Sequence, residues 1–235
     1  MPDARPNILL ITSDQQHWTS MGFRNPELHT PNLDRLAREG VSFERAYTTN
    51  PTCTPARASI LTGQYPSQHG AWALGTKLPE TALTVGAELV RAGYGAALVG
   101  KAHFQPLVST REYPSLEAHP ILHDRDFWRS FHGPWYGFEH IEIARNHTDE
   151  SHVGQHYALW LEEKGLEDWR RYFQPLDGPR HSWPGGRWEL PEEFHPSAWI
   201  AERANALIDR YARSAKPFFL WASFFDPHFP HIVPA

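Results

Sequence analysis

Three short apolar runs, Asn7 to Thr12, Tyr94 to Val99 and Phe218 to Phe224, each end abruptly in polar residues, and helical patterns lie between them. That alternation constrains the fold more than any other feature of the chain. Apolar runs without polar alternation suit strands covered on both faces, and strands separated by helices pair in parallel through right-handed crossovers. The expected architecture is α/β, a mostly parallel sheet sandwiched by helices. Such a sheet holds its ligands at the carboxyl ends of its strands. The residues after each run therefore have a position as well as a chemistry: Ser13-Asp14-Gln15-Gln16, Gly100-Lys101-Ala102-His103 and Asp226-Pro227-His228.

The intervening segments carry helix signals. Thr30-Pro31-Asn32-Leu33-Asp34-Arg35-Leu36 has a capping residue, a proline suited to the first helical position and apolar residues three apart, which predicts a helix to about Gly40. Val41 to Tyr47 reads as a strand. Further helices are expected over Thr54 to Leu61, stopped at Gly63, over Thr84 to Ala92, with Gly93 as its C-cap, and over Trp199 to Ala212. From about Phe104 to Pro196 the rhythm gives way to a stretch rich in Pro, Trp and His, with one clear helix near Gly154 to Lys164. A long irregular insertion with no plain linker reads as a pocket wall within one domain. Because the third apolar run delivers its polar loop just before Ala235, residues 1–235 read as the amino-terminal part of a longer domain.

At 235 residues the chain can bury a sizeable core, and 10 Trp, 8 Tyr and 13 Phe exclude a disordered chain. Lys plus Arg number 22 against 27 Asp plus Glu, so the net charge of -5 offers no basic stripe for nucleic acid. No apolar run reaches bilayer length, and Asn7-Ile8-Leu9-Leu10-Ile11 is too short for a signal peptide. A soluble, cytoplasmic protein with no membrane partner is expected.

Cys53 is the only cysteine, so no internal disulfide can form, and the residue is an inert core side chain, a reactive thiol or a modification site. Its neighbours suit chemistry. Thr52 and Thr54 supply hydroxyls, Pro55 suits a first helical turn, and Arg57 carries a fixed fork of donors matched to a tetrahedral oxyanion. A nucleophile there meets unpaired backbone N–H groups and the positive end of a helix dipole. If the strand ends and this helix start converge, they join a carboxylate, a nucleophile and several cations or proton donors. That set suits attack on an anionic ester of sulfur or phosphorus.

These residues also carry a resemblance. Cys53-Thr54-Pro55-Ala56-Arg57 matches the Cys-x-Pro-x-Arg signature of the type I sulfatase family, within the alkaline-phosphatase-like superfamily. Ala58 to Pro66 and Thr30 to Gly40 continue the family pattern, Gly100 to His103 match Gly-Lys-x-His, and Pro227 to Pro230 match Pro-His-x-Pro. The resemblance implies an alkaline-phosphatase-like fold and conversion of Cys53 to formylglycine by a formylglycine-generating enzyme. The hydrated aldehyde attacks sulfur through one hydroxyl and displaces the alcohol; loss of the other hydroxyl's proton then expels sulfate.

The same resemblance makes Asp14 a ligand of a divalent metal that polarises the ester, joined by Cys53 in its converted form and by Gln15. Many relatives have a second Asp where this chain has Gln15, and the Asp14-Gln15 pair is similar to the choline-sulfatase and phosphonate-monoester-hydrolase branches. That substitution leaves calcium (Ca2+) and manganese (Mn2+) both open. By the same carry-over Arg57 holds the formylglycine hydroxyls, Lys101 contacts sulfate and nucleophile, and His103 assists deprotonation of the diol. His228 binds a sulfate oxygen or protonates the leaving group, while Asp226 reads as a turn residue or as one that supports the site residues from behind. Further metal ligands are expected beyond Ala235.

The implied partner is a small-molecule sulfate ester, with a phosphonate monoester or phosphodiester as the alternative, and a homo-oligomer is compatible with the sequence. A binding relative that lost the chemistry, or an enzyme using the unmodified Cys53 thiol, would carry the same fold. Among the insertion's residues, His132, Trp135, Tyr136, His181, Trp183, Arg187 and Trp188 are candidates to shape the substrate pocket or to fill the core.

Overall fold

The computed structural model describes residues 5–145, 152–173, 186–214 and 216–234. Its strands are β1 (Ile8–Thr12), β2 (Gly95–Lys101), β3 (His140–Ala144), β4 (Gly186–Trp188), β5 (Phe218–Ser223) and β6 (Ile232–Pro234). Four of them form one parallel sheet in the order β1-β5-β2-β3, while β4 and β6 pair in parallel on their own. Every residue of β2 and β5 is buried, as continuous apolar runs predict for strands covered on both faces. Register aligns the carboxyl ends: Ser223 lies opposite Thr12 on one side and Gly100 on the other. The segments leaving β1, β2 and β5 therefore emerge at one edge.

Helices α1 (Pro31–Glu39), α2 (Cys53–Thr62), α3 (Pro66–His69), α4 (Val85–Arg91), α5 (Arg125–Ser130), α6 (Gln155–Glu163) and α7 (Pro196–Ser214) surround the sheet. Helix α7 presents Trp199, Ile200, Ala204, Leu207 and Tyr211 at helical spacing, and these join Tyr157 and Trp160 of α6 in one core. The second core gathers Ala58 and Leu61 of α2 with Phe104, Trp135, Tyr136, Phe138 and Trp221. Both cores are aromatic-rich, which accounts for much of the chain's unusual Trp content. At Gly100 the backbone has φ +100, and a Cβ there would overlap the carbonyl oxygen of Ser223, so only glycine lets β2 and β5 approach this closely.

Three expectations are corrected. Val41 to Tyr47 is not a strand; Val41, Phe43 and Tyr47 are exposed, and no described strand lies beside them to complete a ladder. The stretch from 104 to 196 is less irregular than its composition suggests, since it contributes α5 and the sheet strand β3. The hydroxyl of Thr30 does not cap α1; it donates to Asp34 Oδ1 at 2.8 Å and accepts from the Gly22 amide at 2.7 Å. Helix α1 itself buries no residue. Among the described residues, no helix is long and apolar enough to cross a membrane.

Candidate active site

Cys53 opens α2, preceded by Thr52 in extended conformation, so its side chain sits where the first helical amides lack intrahelical partners. Asp14 lies two residues beyond β1, and its amide donates to the carbonyl of Asp226 at 3.2 Å, which ties the loop after β1 to the loop after β5. Lys101 ends β2, and Arg57 lies one helical turn after Cys53. Sequence-distant groups thus meet at one edge of the sheet.

The geometry is close. Cys53 Sγ stands 4.0 Å from both carboxylate oxygens of Asp14 and 3.6 Å from Lys101 Nζ. The Lys101 ammonium makes an ion pair with Asp14 Oδ2, and Arg57 Nη2 lies 3.4 Å from the same oxygen. Arg57 Nη1 donates to the Lys101 carbonyl and to Ser223 Oγ, both at 2.7 Å. A guanidinium can do this because its donors are fixed in a plane, whereas an ammonium would have to choose among the partners. Burial alone would raise the Asp14 carboxyl, but the charges of Lys101 and Arg57 outweigh it and hold its pKa below the usual carboxylate value.

His103 sits in the left-handed region at φ +58, is 6% exposed, and neither ring nitrogen has a hydrogen-bond partner. Burial first, and then the charges of Lys101 and Arg57, push its pKa well below that of an ordinary histidine. The imidazole is thus held neutral with both nitrogens unused, and His103 does not itself line the cavity beside Cys53. His228 is also held below its ordinary value, mainly by burial and by Lys101.

Asp14, Cys53 and His228 each offer a ligand atom, and these atoms lie within 4.8 Å of one another. A carboxylate oxygen, an imidazole nitrogen and the side chain at position 53 are donors that fit a divalent ion. His228 therefore falls among potential ligands, a placement that the sequence reading did not give it. Gln15, at φ +60, lines the same cavity. That cavity, of about 340 Å³, is walled by Thr48, Asn50, Pro51, Cys53, Trp221 and His228 among others.

No described residue between 104 and 196 lines this cavity. Trp135, Tyr136 and Trp188 are core residues, His132 lines a separate cavity beside β3, Arg187 is exposed, and His181 and Trp183 lie outside the described residues. Asp226 accepts from Ser197 Oγ at 2.6 Å and so braces α7 against the loop after β5. One participant escaped the sequence reading: Ser223, which accepts from Arg57, was readable only as the polar end of a buried strand.

A sequence model described as Sulfatase matches residues 6–235. The chain belongs to the sulfatase family. It is 32% identical over 230 residues to an arylsulfatase of Clostridium perfringens, covering 96% of this chain and 44% of that protein. It is 31% identical over 249 residues to the multifunctional alkaline phosphatase superfamily protein PehA of Trinickia caryophylli, covering 98% of this chain and 43% of that one. This sulfatase-family chain thus spans less than half the length of these relatives. In fold it is similar to the phosphonate monoester hydrolase of Agrobacterium radiobacter, with a TM-score of 0.69 at 24% identity, covering 98% of this chain and 42% of that one. The alkaline-phosphatase-like α/β architecture and membership of an enzyme family follow from these matches together.

Proposed function

We propose that this chain carries the nucleophile and the anion-gripping groups of a sulfuric ester hydrolase. The observation that carries the reading is the placement of Cys53 at the start of α2 within 3.6 Å of Lys101 Nζ and 4.0 Å of Asp14. In the proposed reaction Cys53 is first converted to formylglycine. One hydroxyl of its hydrate attacks sulfur and the ester oxygen leaves as the alcohol; the second hydroxyl then loses its proton, the C–O bond to sulfate breaks and the aldehyde returns. Lys101 neutralises charge on the non-bridging oxygens, His103 takes the diol proton, and Arg57 holds the helix start against β2 and β5. Asp14, His228, Gln15 and the converted position 53 would hold a divalent metal, which when bound polarises the ester and acidifies the diol. The uncovered face of β1 and α1 is where the remainder of a longer domain would pack and add ligands.

The test is mass spectrometry of the Ala46 to Arg57 peptide after coexpression with a formylglycine-generating enzyme, followed by a panel of matched esters. Aldehyde or hydrate at position 53 and faster turnover of sulfate than phosphonate esters support the reading. Faster phosphonate monoester turnover would reassign the substrate class while keeping the nucleophile. Unmodified cysteine, with the maturation enzyme shown to be competent, would overturn the mechanism.

A further inference from the structure

The turn that carries His103 is held by a carboxylate fourteen residues away in sequence. Glu117 is 1% exposed, and its Oε1 accepts from the His103 amide at 2.6 Å. Its Oε2 accepts from the amides of Phe104 at 2.9 Å and Gln105 at 2.8 Å. Three consecutive N–H groups converging on one carboxylate form an anion nest filled by the chain's own side chain. Without Glu117 these amides would be buried and unsatisfied.

What makes this consequential is the imidazole itself. Neither ring nitrogen of His103 has a hydrogen-bond partner, so no polar contact fixes the ring's direction. Its aim depends on the backbone that carries it, and that backbone is in the left-handed region that a residue with a Cβ enters reluctantly. The neighbouring turn is fastened independently: Gln105 Oε1 accepts from the Leu116 amide at 2.6 Å, and its Nε2 donates to Glu80 at 3.1 Å. The bond to the His103 amide is the one that acts at the histidine.

We propose that Glu117 is a positioning residue whose carboxyl group, by gripping the amides of residues 103–105, fixes the backbone from which the His103 imidazole projects and so sets the direction of the ring. The catalytic consequence rests on the hydrolase reading above; the structural one does not.

Glu117→Gln is the informative change. The amide oxygen can keep the two bonds from Phe104 and Gln105, while its NH2 then opposes the His103 N–H, so the loss lands on the histidine. In histidine-labelled protein, with the His103 ring signal assigned by its disappearance in His103→Ala, E117Q shifts that signal. In the active enzyme it lowers kcat by about tenfold to a hundredfold with KM moved less than about twofold. The double variant E117Q/H103A is no slower than H103A alone, because the two residues act through one group. An unmoved His103 signal in E117Q with native near-ultraviolet circular dichroism overturns the proposal, as does a kinetic loss that multiplies in the double variant. If E117Q fails to fold, Glu117→Asp, which keeps both oxygens with a shorter reach, is read in the same way. A wild-type protein that cleaves no ester would sink the hydrolase reading, and the ring signal would still decide the role of Glu117.

Discussion

The two sides of the site are held by different means. On one side, Arg57 and Lys101 belong to α2 and β2, which pack against fully buried strands and an aromatic core, and the Arg57 side chain is tied to both the Lys101 carbonyl and Ser223 Oγ. On the other, Asp14 follows β1, a strand that alternates between covered and exposed residues, and the chain beyond it leads to α1, which buries nothing. Leu9, Ile11, Leu33, Leu36, Val41 and Phe43 all stand exposed along this side. Asp14 nevertheless occupies a defined place, because its carboxylate is gripped by cations from the other side and its amide by the Asp226 carbonyl. The cation-bearing half of the site is thus organised by its own scaffold, and the half that carries Asp14 borrows its order across the sheet.

The largest test of this contrast is chemical. Arg57→Lys should lower ester turnover by about a thousandfold, since an ammonium cannot reach the Lys101 carbonyl, Ser223 and Asp14 together, while Gln15→Ala should cost less than about tenfold. Steady-state kinetics on one sulfate ester compares them; equal losses would erase the distinction. Packing gives the next test. Leu98→Ala, in the centre of β2, should destabilise by about 3 kcal/mol in urea, and Gly100→Ala by at least as much because its Cβ meets Ser223. Leu36→Ala, on the exposed side, should change stability by less than about 0.5 kcal/mol.

Acid titration sharpens the comparison further. Glu142 in β3 accepts from Arg203 at 2.6 Å and from His140 at 3.0 Å, and although burial opposes it these partners lower its pKa to about 2. A depressed carboxyl stabilises the fold above its unfolded value and loses that contribution as pH falls from 4.5 toward 2. His156, lowered from 6.5 to about 4 mainly by burial, adds a loss that begins as pH falls below 6.5. Glu117 runs the other way. Burial raises it from 4.5 to about 7, so its contribution weakens as pH rises through that window. Chemical denaturation across pH should therefore show E142Q flattening the acid limb, and E117Q altering the region between pH 4.5 and 7. The smallest expected effect is Leu36→Glu, which should reduce dye binding to exposed apolar surface with stability unchanged.

Much of this arrangement was legible in the sequence because β1, β2 and β5 announce themselves as apolar runs and their polar ends coincide with the site. Helix α2 was readable from Pro55 and Gly63. Strand β3 was not, since His140-Ile141-Glu142-Ile143 mixes charge with apolar residues and becomes a buried strand only because Arg203, from a distant helix, satisfies Glu142. Val41 to Tyr47 failed in the opposite sense: its residues favour a strand, but strand formation needs a neighbour and no described strand supplies one. Glu117 and Ser223 are invisible to local pattern because their partners are backbone groups and a guanidinium brought in by the fold.

The order of the sheet also sets a timetable for the cell. Strand β5 is the last of the four in the chain, yet it lies between β1 and β2, so neither can join the other until residue 223 has been made. More than a hundred residues separate β2 from β5. At a synthesis rate of about 5–20 residues per second, Cys53 spends on the order of ten seconds on a ribosome-bound chain whose catalytic edge does not yet exist. Through that interval Cys53 rides on an open chain, before the strand ends assemble around it.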